Sequence, residues 1–318
     1  MKFQFSFLAA AAVALVSTAA AADSAWTSDF EAARKQAAAE HKDLLIDFTG
    51  SDWCVWCIKL RKEVFEQAPF EAGVKDKFVL VELDYPKDKT RVTEAVAAQN
   101  AVLLKRYPIK GYPTVLLCDP EGKPFAATGY QPGGPEKYLS QLDELLGKKA
   151  ARDKALAAAG EKQGAEKAQA LIAALEGLGL DEAMLTANYA DTAAAIKQAD
   201  PEDTTGYAKK EKSEKAFADF MAKLGEARGK GDLDAAMKVV EETLAAGVLQ
   251  GEYRQQVYGH QAGTLASSGK KDEAIEVLKK AVAESPDGPR TKELAEFITI
   301  LEREKAGLPP VKKEEAGK

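Results

Sequence analysis

The sequence is poor in residues that cross-link a chain or bind metals. It has three cysteines and two histidines among 318 residues. Small domains held together by disulfides and closed zinc sites with four thiolates both need more cysteines than this. Cysteine chemistry here must therefore use one pair and leave one thiol over.

An excess of positive charge is also missing. The chain has 44 basic and 50 acidic residues, which gives a formal net charge of -6. Binding to nucleic acid depends on cations that neutralise phosphates, so the composition gives no electrostatic basis for a nucleic-acid partner. The chain has 46% hydrophobic residues, enough to form a folded core. Its length of 318 residues is enough for two domains of ordinary size.

Long apolar runs are confined to the N-terminus. Met1 and Lys2 precede an apolar stretch at 3–16, and the small residues at 19–22 form a cleavage site. This pattern predicts a secretory signal peptide over 1–22. A membrane anchor is the alternative, although the run is shorter than the roughly 20 residues that a span needs. We expect a periplasmic or secreted protein that keeps no membrane span after cleavage.

Residues 23–147 alternate between strand and helix patterns. Short apolar runs predict four strands, at 43–48, 78–84, 114–119 and 124–128. Helical spacing predicts four helices, at 29–40, 54–66, 91–106 and 136–146. This alternation predicts an α/β domain with a central mixed sheet flanked by helices.

Residues 148–305 have apolar positions at helical spacing throughout, which predicts an all-α domain. Gly231 and Gly269 begin similar stretches 38 residues apart. The stretch from Tyr258 to Pro286 resembles a tetratricopeptide repeat, with a looser copy before it. A helical bundle without a binding groove is the alternative. Residues 306–318 lack periodicity and are predicted to form a disordered tail.

Cys54 and Cys57 form a C-x-x-C motif between a predicted strand and a predicted helix. At the first turn of that helix, free N–H groups and the helix dipole favour the thiolate of Cys54, which makes it the predicted nucleophile. Cys57 lies about one turn further on and is the predicted resolving thiol.

Other uses of a C-x-x-C motif fit this sequence less well. Attachment of a c-type haem needs histidine at position 58, which is Ile58. A zinc site needs two more ligands, and Cys118, His41 and His260 are not spaced as ligands. Two buried structural cysteines are the remaining alternative. We therefore predict no metal and no organic cofactor.

Three separated elements resemble the thioredoxin superfamily, and within it periplasmic thioredoxin-like domains. They are Ile46-Asp-Phe48, Trp53-Cys-Val-Trp-Cys57 and Gly111-Tyr-Pro-Thr114. The resemblance covers about residues 26–146. It implies that Pro113 is cis and that the backbone of Tyr112 pairs with an extended substrate. Trp53, Tyr112 and Pro113 are therefore the predicted substrate-binding residues.

The resemblance also implies a role for Asp47 as the carboxylate that takes the proton of the second thiol. Burial in a strand raises the pKa of a carboxyl group, which suits this role. Asp47 precedes Cys54 by seven residues, one more than in thioredoxin itself. A polar residue that faces solvent at a strand start is the alternative.

Four residues and one loop near the C-x-x-C motif or in the predicted sheet are expected to have no direct role in the chemistry. Lys59 and Lys62 are expected to be solvated charges on a helix face, and Asp52 is expected to be exposed. Cys118 alternates with apolar residues in a strand and is predicted to fill space in the core. The turn-rich loop at 130–135 is expected near the face that carries the dithiol.

These features predict an exported thiol-disulfide oxidoreductase that acts on protein disulfides and exchanges electrons with a redox partner protein. Trp56 stands where isomerases and strong oxidants carry histidine, which favours a reductant. The helical domain is expected to bind a protein partner or to set the oligomeric state. A chaperone-like binding protein and a disulfide-forming or isomerising enzyme are the alternatives.

Overall fold

The computed structural model describes residues 25–309, which form two compact units. The first contains the described residues up to Ala157 together with Ala173–Ala190, and the second contains Ala158–Ile172 and the residues from Asp191 onward. The predicted signal peptide at 1–22 and residues 310–318 of the predicted tail lie outside the described residues.

The first unit is built on a five-stranded mixed sheet. Its strands are β1 (Trp26–Thr27), β2 (Asp43–Thr49), β3 (Phe78–Asp84), β4 (Thr114–Cys118) and β5 (Pro124–Thr128). They lie in the order β1-β3-β2-β4-β5, in which β3 is parallel to β1 and β2, and β4 is antiparallel to β2 and β5. The predicted central mixed sheet is confirmed. The sequence did not reveal β1, because two residues are too few to show a period.

Helices cover both faces of this sheet. They are α1 (Phe30–Glu40), α2 (Val55–Leu60), α3 (Ala68–Val74), α4 (Glu94–Arg106) and α5 (Gly134–Gly160). Side-chain caps begin two of them, since Asp29 accepts a hydrogen bond from the backbone of α1 and Thr93 from that of α4. The helix predicted over 54–66 is α2 followed by a π-helical turn at Arg61–Phe65.

The central strand β2 is buried along its whole length. Leu44, Ile46 and Phe48 pack in one core cluster with α1 and α4. Because side chains alternate along a strand, Leu45 and Asp47 point to the opposite face. A polar residue therefore lies inside the sheet on the face away from the α1 and α4 core.

Helix α5 passes through residue 147, where the sequence analysis ended the first domain. A later segment also belongs to the first unit, since α7 (Glu182–Asn188) contributes the buried Met184 to the α1 and α4 core. Asn188 donates to the carbonyl of Arg106 at 2.9 Å, and the hydroxyl of Tyr189 donates to that of Pro124 at 2.7 Å. These bonds attach the segment to the sheet domain.

The rest of the described chain is helical, as predicted. The helices are α6 (Gly164–Glu176), α8 (Ala190–Ala199), α9 (Tyr207–Gly229), α10 (Leu233–Ala245), α11 (Gly251–Ser267), α12 (Lys271–Glu284) and α13 (Thr291–Lys305). Within residues 25–309, no helix combines the length and the apolar character that a bilayer crossing requires.

Two glycine turns shape the second unit. Gly231 between α9 and α10 has a φ of 71°, and Gly269 between α11 and α12 has a φ of 78°. Residues with a Cβ rarely adopt this left-handed conformation, so glycine ends each first helix at low cost. Of the apolar positions in the repeat pattern, Tyr258 is partly buried and the others are buried: Phe220, Leu224, Ala227, Ala236, Val240, Ala262, Leu265, Ala274, Leu278 and Ala281. Their assignment as tetratricopeptide repeats stays a prediction.

Candidate active site

One edge of the sheet gathers most of the residues that the sequence analysis singled out. The carboxyl ends of β2 and β3 meet there, because Thr49 is in register with Asp84. The start of β4 and the end of β5 lie at the same edge, since Thr114 pairs with Phe48 and Val115 with Thr128. The dithiol follows β2 and Pro113 precedes β4, so both belong to this edge.

Cys54 and Cys57 are joined by a disulfide, with their Cα atoms 5.2 Å apart. Cys54 is the N-cap of α2, in an extended conformation, and its sulfur accepts a hydrogen bond from the N–H of Cys57 at 3.2 Å. Only 6% of Cys54 and 3% of Cys57 are exposed. In the reduced protein the same N–H group and the positive end of the helix stabilise a thiolate on Cys54.

Trp53 lies on the β3 side of the dithiol. Its indole N–H donates to the carbonyl of Tyr85 at 2.9 Å, and its ring meets that of Tyr112 edge to face at 5.4 Å. Gly50 makes this possible, because a Cβ on that residue would be 2.4 Å from the Trp53 ring. Asp52 holds the loop after β3 by accepting hydrogen bonds from the backbone N–H groups of residues 87 and 88.

The predicted cis peptide is present between Tyr112 and Pro113. The hydroxyl of Thr114 donates to the carbonyl of Gly111 at 2.7 Å, which closes the turn that carries this bond. Tyr112 is partly buried and packs against the α1 and α4 core. The three predicted substrate-binding residues, Trp53, Tyr112 and Pro113, therefore belong to one edge of the sheet.

Trp56 lies on the β5 side of the dithiol. Its ring is 5.1 Å from that of Tyr130, in the turn-rich loop at 130–135, which confirms that this loop lies near the dithiol. The ammonium of Lys59 is 5.3 Å from the Trp56 ring and 5.0 Å from the Tyr130 ring. Lys62 is exposed as expected, whereas Lys59 is held by two rings and by Glu63 at 3.7 Å.

Asp47 is buried, which contradicts the alternative that it faces solvent. Its Oδ1 atom has no hydrogen-bond partner. Burial raises the pKa of this carboxyl to about 7; the charge of Arg61 opposes the rise and that of Asp84 adds to it. A carboxyl group with this pKa can accept and return a proton near neutral pH.

Charged and polar neighbours of Asp47 escaped the sequence analysis. Glu82 is in register with Asp47 on β3 and forms an ion pair with Arg61. The hydroxyl of Tyr138 on α5 is buried without a partner, and burial together with the Asp47 charge raises its pKa. Only the strand register reveals Glu82, and no local motif identifies Arg61 or Tyr138.

Cys118 is fully buried in β4, as predicted. Burial raises the pKa of its thiol well above the ordinary value, and Asp119 contributes to the rise. A thiol in this state is a poor nucleophile. Cys54 and Cys57 form the disulfide, and Cys118 stays a free, buried thiol.

The fold and this site together define a class of protein, that of dithiol-disulfide proteins with a thioredoxin fold. A family model described as thioredoxin-like domain matches residues 30–145. The disulfide bond reductase DsbH of Chlamydia pneumoniae is 35% identical over 127 residues, which cover 40% of this chain and 75% of DsbH.

Two further relatives are matched over a smaller share of their own length. The thioredoxin-related protein DsbJ of Chlamydia pneumoniae is 35% identical over 104 residues, which cover 33% of this chain and 30% of DsbJ. The thiol:disulfide interchange protein DsbD of Ralstonia nicotianae is 29% identical over 122 residues, which cover 38% of this chain and 18% of DsbD.

The chain belongs to the thioredoxin-like family. The predicted family resemblance is thus confirmed, and the bonded Cys54–Cys57 pair within this family makes the protein a thiol-disulfide oxidoreductase. The family match ends at residue 145 and assigns no role to the helices that follow.

Proposed function

We propose that the protein is an exported reductant of protein disulfides. The observation that carries this proposal is Trp56, the residue before Cys57, which offers no imidazole to the thiolate of Cys54. Cys54 is the N-cap of α2, so the helix is its remaining source of stabilisation. The residues of α2 include one cation, Lys59, and Glu63 offsets its charge at 3.7 Å. The thiolate of Cys54 thus has fewer stabilising partners than in a strong oxidant, which lowers the reduction potential. The relative DsbH is named a disulfide bond reductase.

The reaction begins when the Cys54 thiolate attacks one sulfur of the substrate disulfide. The substrate S–S bond breaks, its second sulfur leaves as a thiolate, and a mixed disulfide joins Cys54 to the substrate. Cys57 then loses its proton to Asp47 and attacks the sulfur of Cys54. The Cys54–Cys57 disulfide forms and the substrate departs as a dithiol, having gained two electrons. Asp47 passes the proton on to solvent or to the leaving thiolate.

Substrate binding falls to the edge that carries the dithiol. We assign the backbone of Tyr112 to pairing with an extended substrate segment, with Trp53 and Pro113 beside it. Trp53 is 37% exposed although its ring is fixed by Tyr85 and Tyr112, so an incoming chain meets a rigid apolar surface. Rigid aromatic surfaces bind with little loss of side-chain entropy.

The deciding experiment is a measurement of the Cys54–Cys57 reduction potential against glutathione. We expect a value near that of thioredoxin, about -270 mV, together with reduction of insulin. The double variant Cys54→Ser/Cys57→Ser is the control and should show no reduction. A potential near the -120 mV of a strong oxidant would overturn the proposed direction.

Export is the second part of the proposal and has a test of its own. Residues 1–22 carry the signal-peptide pattern, with cleavage expected before Asp23. Mass spectrometry of the protein expressed from the full gene should find an N-terminus at Asp23 in the exported fraction. A chain that keeps Met1 and stays in the cytoplasm would contradict this part.

We also propose that the helical unit binds a protein partner. A groove of about 500 Å³ between α10, α11 and α12 supports this, with Met237, Leu265 and Val277 among its apolar lining and Glu241 and Glu276 among its acids. Val277→Glu in the full chain should weaken suppression of client aggregation while insulin reduction stays unchanged.

The double variant Cys54→Ser/Cys57→Ser separates the two roles. If it suppresses client aggregation as well as the wild type and keeps the activity of the protein in the cell, the binding role is the main one and the reductase role fails.

A further inference from the structure

The dithiol has an aromatic side chain on each flank, and the topology separates the two. Trp53 contacts residues that follow β3, whereas Trp56 contacts the loop that follows β5. In the sheet, β3 and β5 lie on opposite sides of the central pair formed by β2 and β4. A substrate bound along Pro113 and the dithiol therefore has one aromatic surface on each side.

A glycine fixes the position of the β5 side. A Cβ on Gly129 would lie 2.9 Å from the carbonyl oxygen of Pro113, so the backbone of residue 129 passes directly beside the cis-proline turn. The next residue, Tyr130, is thereby held within contact of Trp56. Any larger residue at position 129 would push this loop away from Pro113.

Two further contacts hold Tyr130. Its hydroxyl donates to Glu63 at 2.8 Å, and the ammonium of Lys59 stands over both the Tyr130 and the Trp56 rings. Lys59 in turn pairs with Glu63. We call Trp56, Lys59, Glu63 and Tyr130 the β5-side wall.

The side chains of the β5-side wall are held in place by one another, yet Trp56 stays exposed to solvent. Trp56 is 53% exposed and Val55 beside it is 72% exposed, although the neighbouring residues Cys54 and Cys57 are buried. A fixed apolar surface that stays open to water next to reacting atoms is suited to a partner that covers it. Since Glu63 offsets the Lys59 charge, the wall offers a charged side chain little attraction and an apolar one a large contact area.

We propose that the β5-side wall binds an aromatic or large aliphatic side chain next to the cysteine of a polypeptide substrate, and that Tyr130 is a specificity-determining residue. This inference rests on the proposed reduction of protein disulfides. It adds a preference for substrate sequence that the dithiol and Pro113 do not supply, because these contact the cysteine and its backbone only.

The test uses two symmetric peptide disulfides that differ only beside the cysteine, one with Phe and one with Gly on both flanks. The small disulfide bis(2-hydroxyethyl) disulfide is the third probe. The reduced full-length protein is mixed with each probe, quenched with acid, and the released thiol is quantified to give a second-order rate constant. The preference is the ratio of the Phe to the Gly rate constant.

We expect the wild type to prefer the Phe peptide, and Tyr130→Ala to lower that preference about tenfold. Tyr130→Phe keeps the ring and should stay within about twofold of the wild type. Lys59→Met should give an intermediate loss of about threefold. Val102→Ala, an exposed apolar position on α4, is the remote control. The rate with the small disulfide reports the dithiol without flanking side chains, and Val102→Ala should leave all three rates unchanged.

The outcomes separate this inference from the proposed function. If the wild type reduces none of the probes, the reductase function fails. If it reduces them but shows no Phe preference, or if Tyr130→Ala keeps that preference, the wall has no role in specificity. An equal loss of rate with the small disulfide would mean that Tyr130 supports the dithiol itself, which also overturns the inference. Tyr130 is only half-buried, and circular dichroism verifies that each variant is folded.

Discussion

Each of the two units buries a polar side chain, and the two groups are treated in different ways. Gln255 in α11 is fully buried, and its amide nitrogen lies 2.9–3.1 Å from three acceptors, on Ala281, Ser285 and Thr291. Asp47 in β2 is also buried. Each side chain keeps one oxygen without a hydrogen-bond partner, Oε1 of Gln255 and Oδ1 of Asp47. The Gln255 amide nitrogen links the end of α12 to the start of α13, whereas Asp47 is an acid whose burial raises its pKa to about 7.

The two buried groups differ in whether they can take up and release a proton. The contacts of its nitrogen offset part of the cost of burying the Gln255 amide, and because an amide does not titrate, its role is structural. The Asp47 carboxyl avoids the cost of a buried charge by keeping a proton up to a pH of about 7. A group kept in this state despite its cost to stability is a candidate for proton transfer.

The largest expected effect concerns the sulfurs themselves. Cys57→Ser should abolish turnover and leave Cys54 joined to substrate, because no thiol remains to attack the mixed disulfide. Non-reducing gel electrophoresis and mass spectrometry would detect the adduct. Cys118→Ala is the matched control and should keep turnover, since that thiol is buried. Adducts on Cys118, or turnover without Cys57, would break the division of roles among the three cysteines.

Asp47→Asn should have opposite effects on stability and on chemistry. The folded pKa of about 7 lies above the ordinary value near 4, so the folded protein keeps a proton that the unfolded chain has lost. The free energy of unfolding of the wild type therefore falls as the pH rises from about 4 to about 7 and levels off above it. The variant lacks this loss and should be more stable by up to about 4 kcal/mol at pH 8.

The measurements are urea unfolding of the oxidised protein from pH 4 to 8 and single-turnover resolution of a mixed disulfide over the same range. In the wild type the resolution rate should rise through pH 7, as Asp47 loses its own proton and becomes a base. In Asp47→Asn that rise should disappear. A variant that is less stable at pH 8, with an unchanged rate profile, would place Asp47 in the same structural category as Gln255.

Gln255→Leu should destabilise the helical unit by about 2–3 kcal/mol, because it leaves buried acceptors without a donor. Insulin reduction by the folded variant should not change. Gln261→Leu, on the same helix but half-buried, is the control and should shift the free energy of unfolding by less than about 0.5 kcal/mol. A change in the reduction potential on replacing Gln255 would contradict the assignment of that residue to structure alone.

The smallest effect separates two glycines of the helical unit. Gly269→Ala should lower stability by about 1 kcal/mol, because its φ of 78° strains a residue with a Cβ. Gly263→Ala lies inside α11 with no atom near the added methyl and should raise stability by about 0.5–1 kcal/mol. Thermal unfolding of both variants measures the pair, and shifts of the same sign would contradict this account.

The parts of the site that local sequence patterns encode could be predicted. The C-x-x-C spacing, the strand before it and the tripeptide around Pro113 are short motifs with a direct physical or family reading. The helix boundaries were less accurate, because the π-helical turn at Arg61–Phe65 has nearly the same apolar spacing as an α-helix.

Long-range partners could not be predicted in the same way. Glu82 and Asp47 come together only through the register of two strands, and Trp56 meets Tyr130 only because β5 ends at the same edge as β2. The return of Met184 to the first core is hidden for the same reason, since an amphipathic helix does not reveal which core it joins.

Because Met184 belongs to the core of the first unit, that core can be completed only late in synthesis. A nascent chain leaves the ribosome from its N-terminus at about 5–20 residues per second. When residue 147 has emerged, the core of the sheet unit still lacks Met184, and the carbonyls of Arg106 and Pro124 still lack their donors on Asn188 and Tyr189. The 43 residues up to 190 take roughly 2 to 9 seconds more at this rate. The first unit is therefore still incomplete when residue 147 has emerged, and its cysteines leave the ribosome well before its core can close.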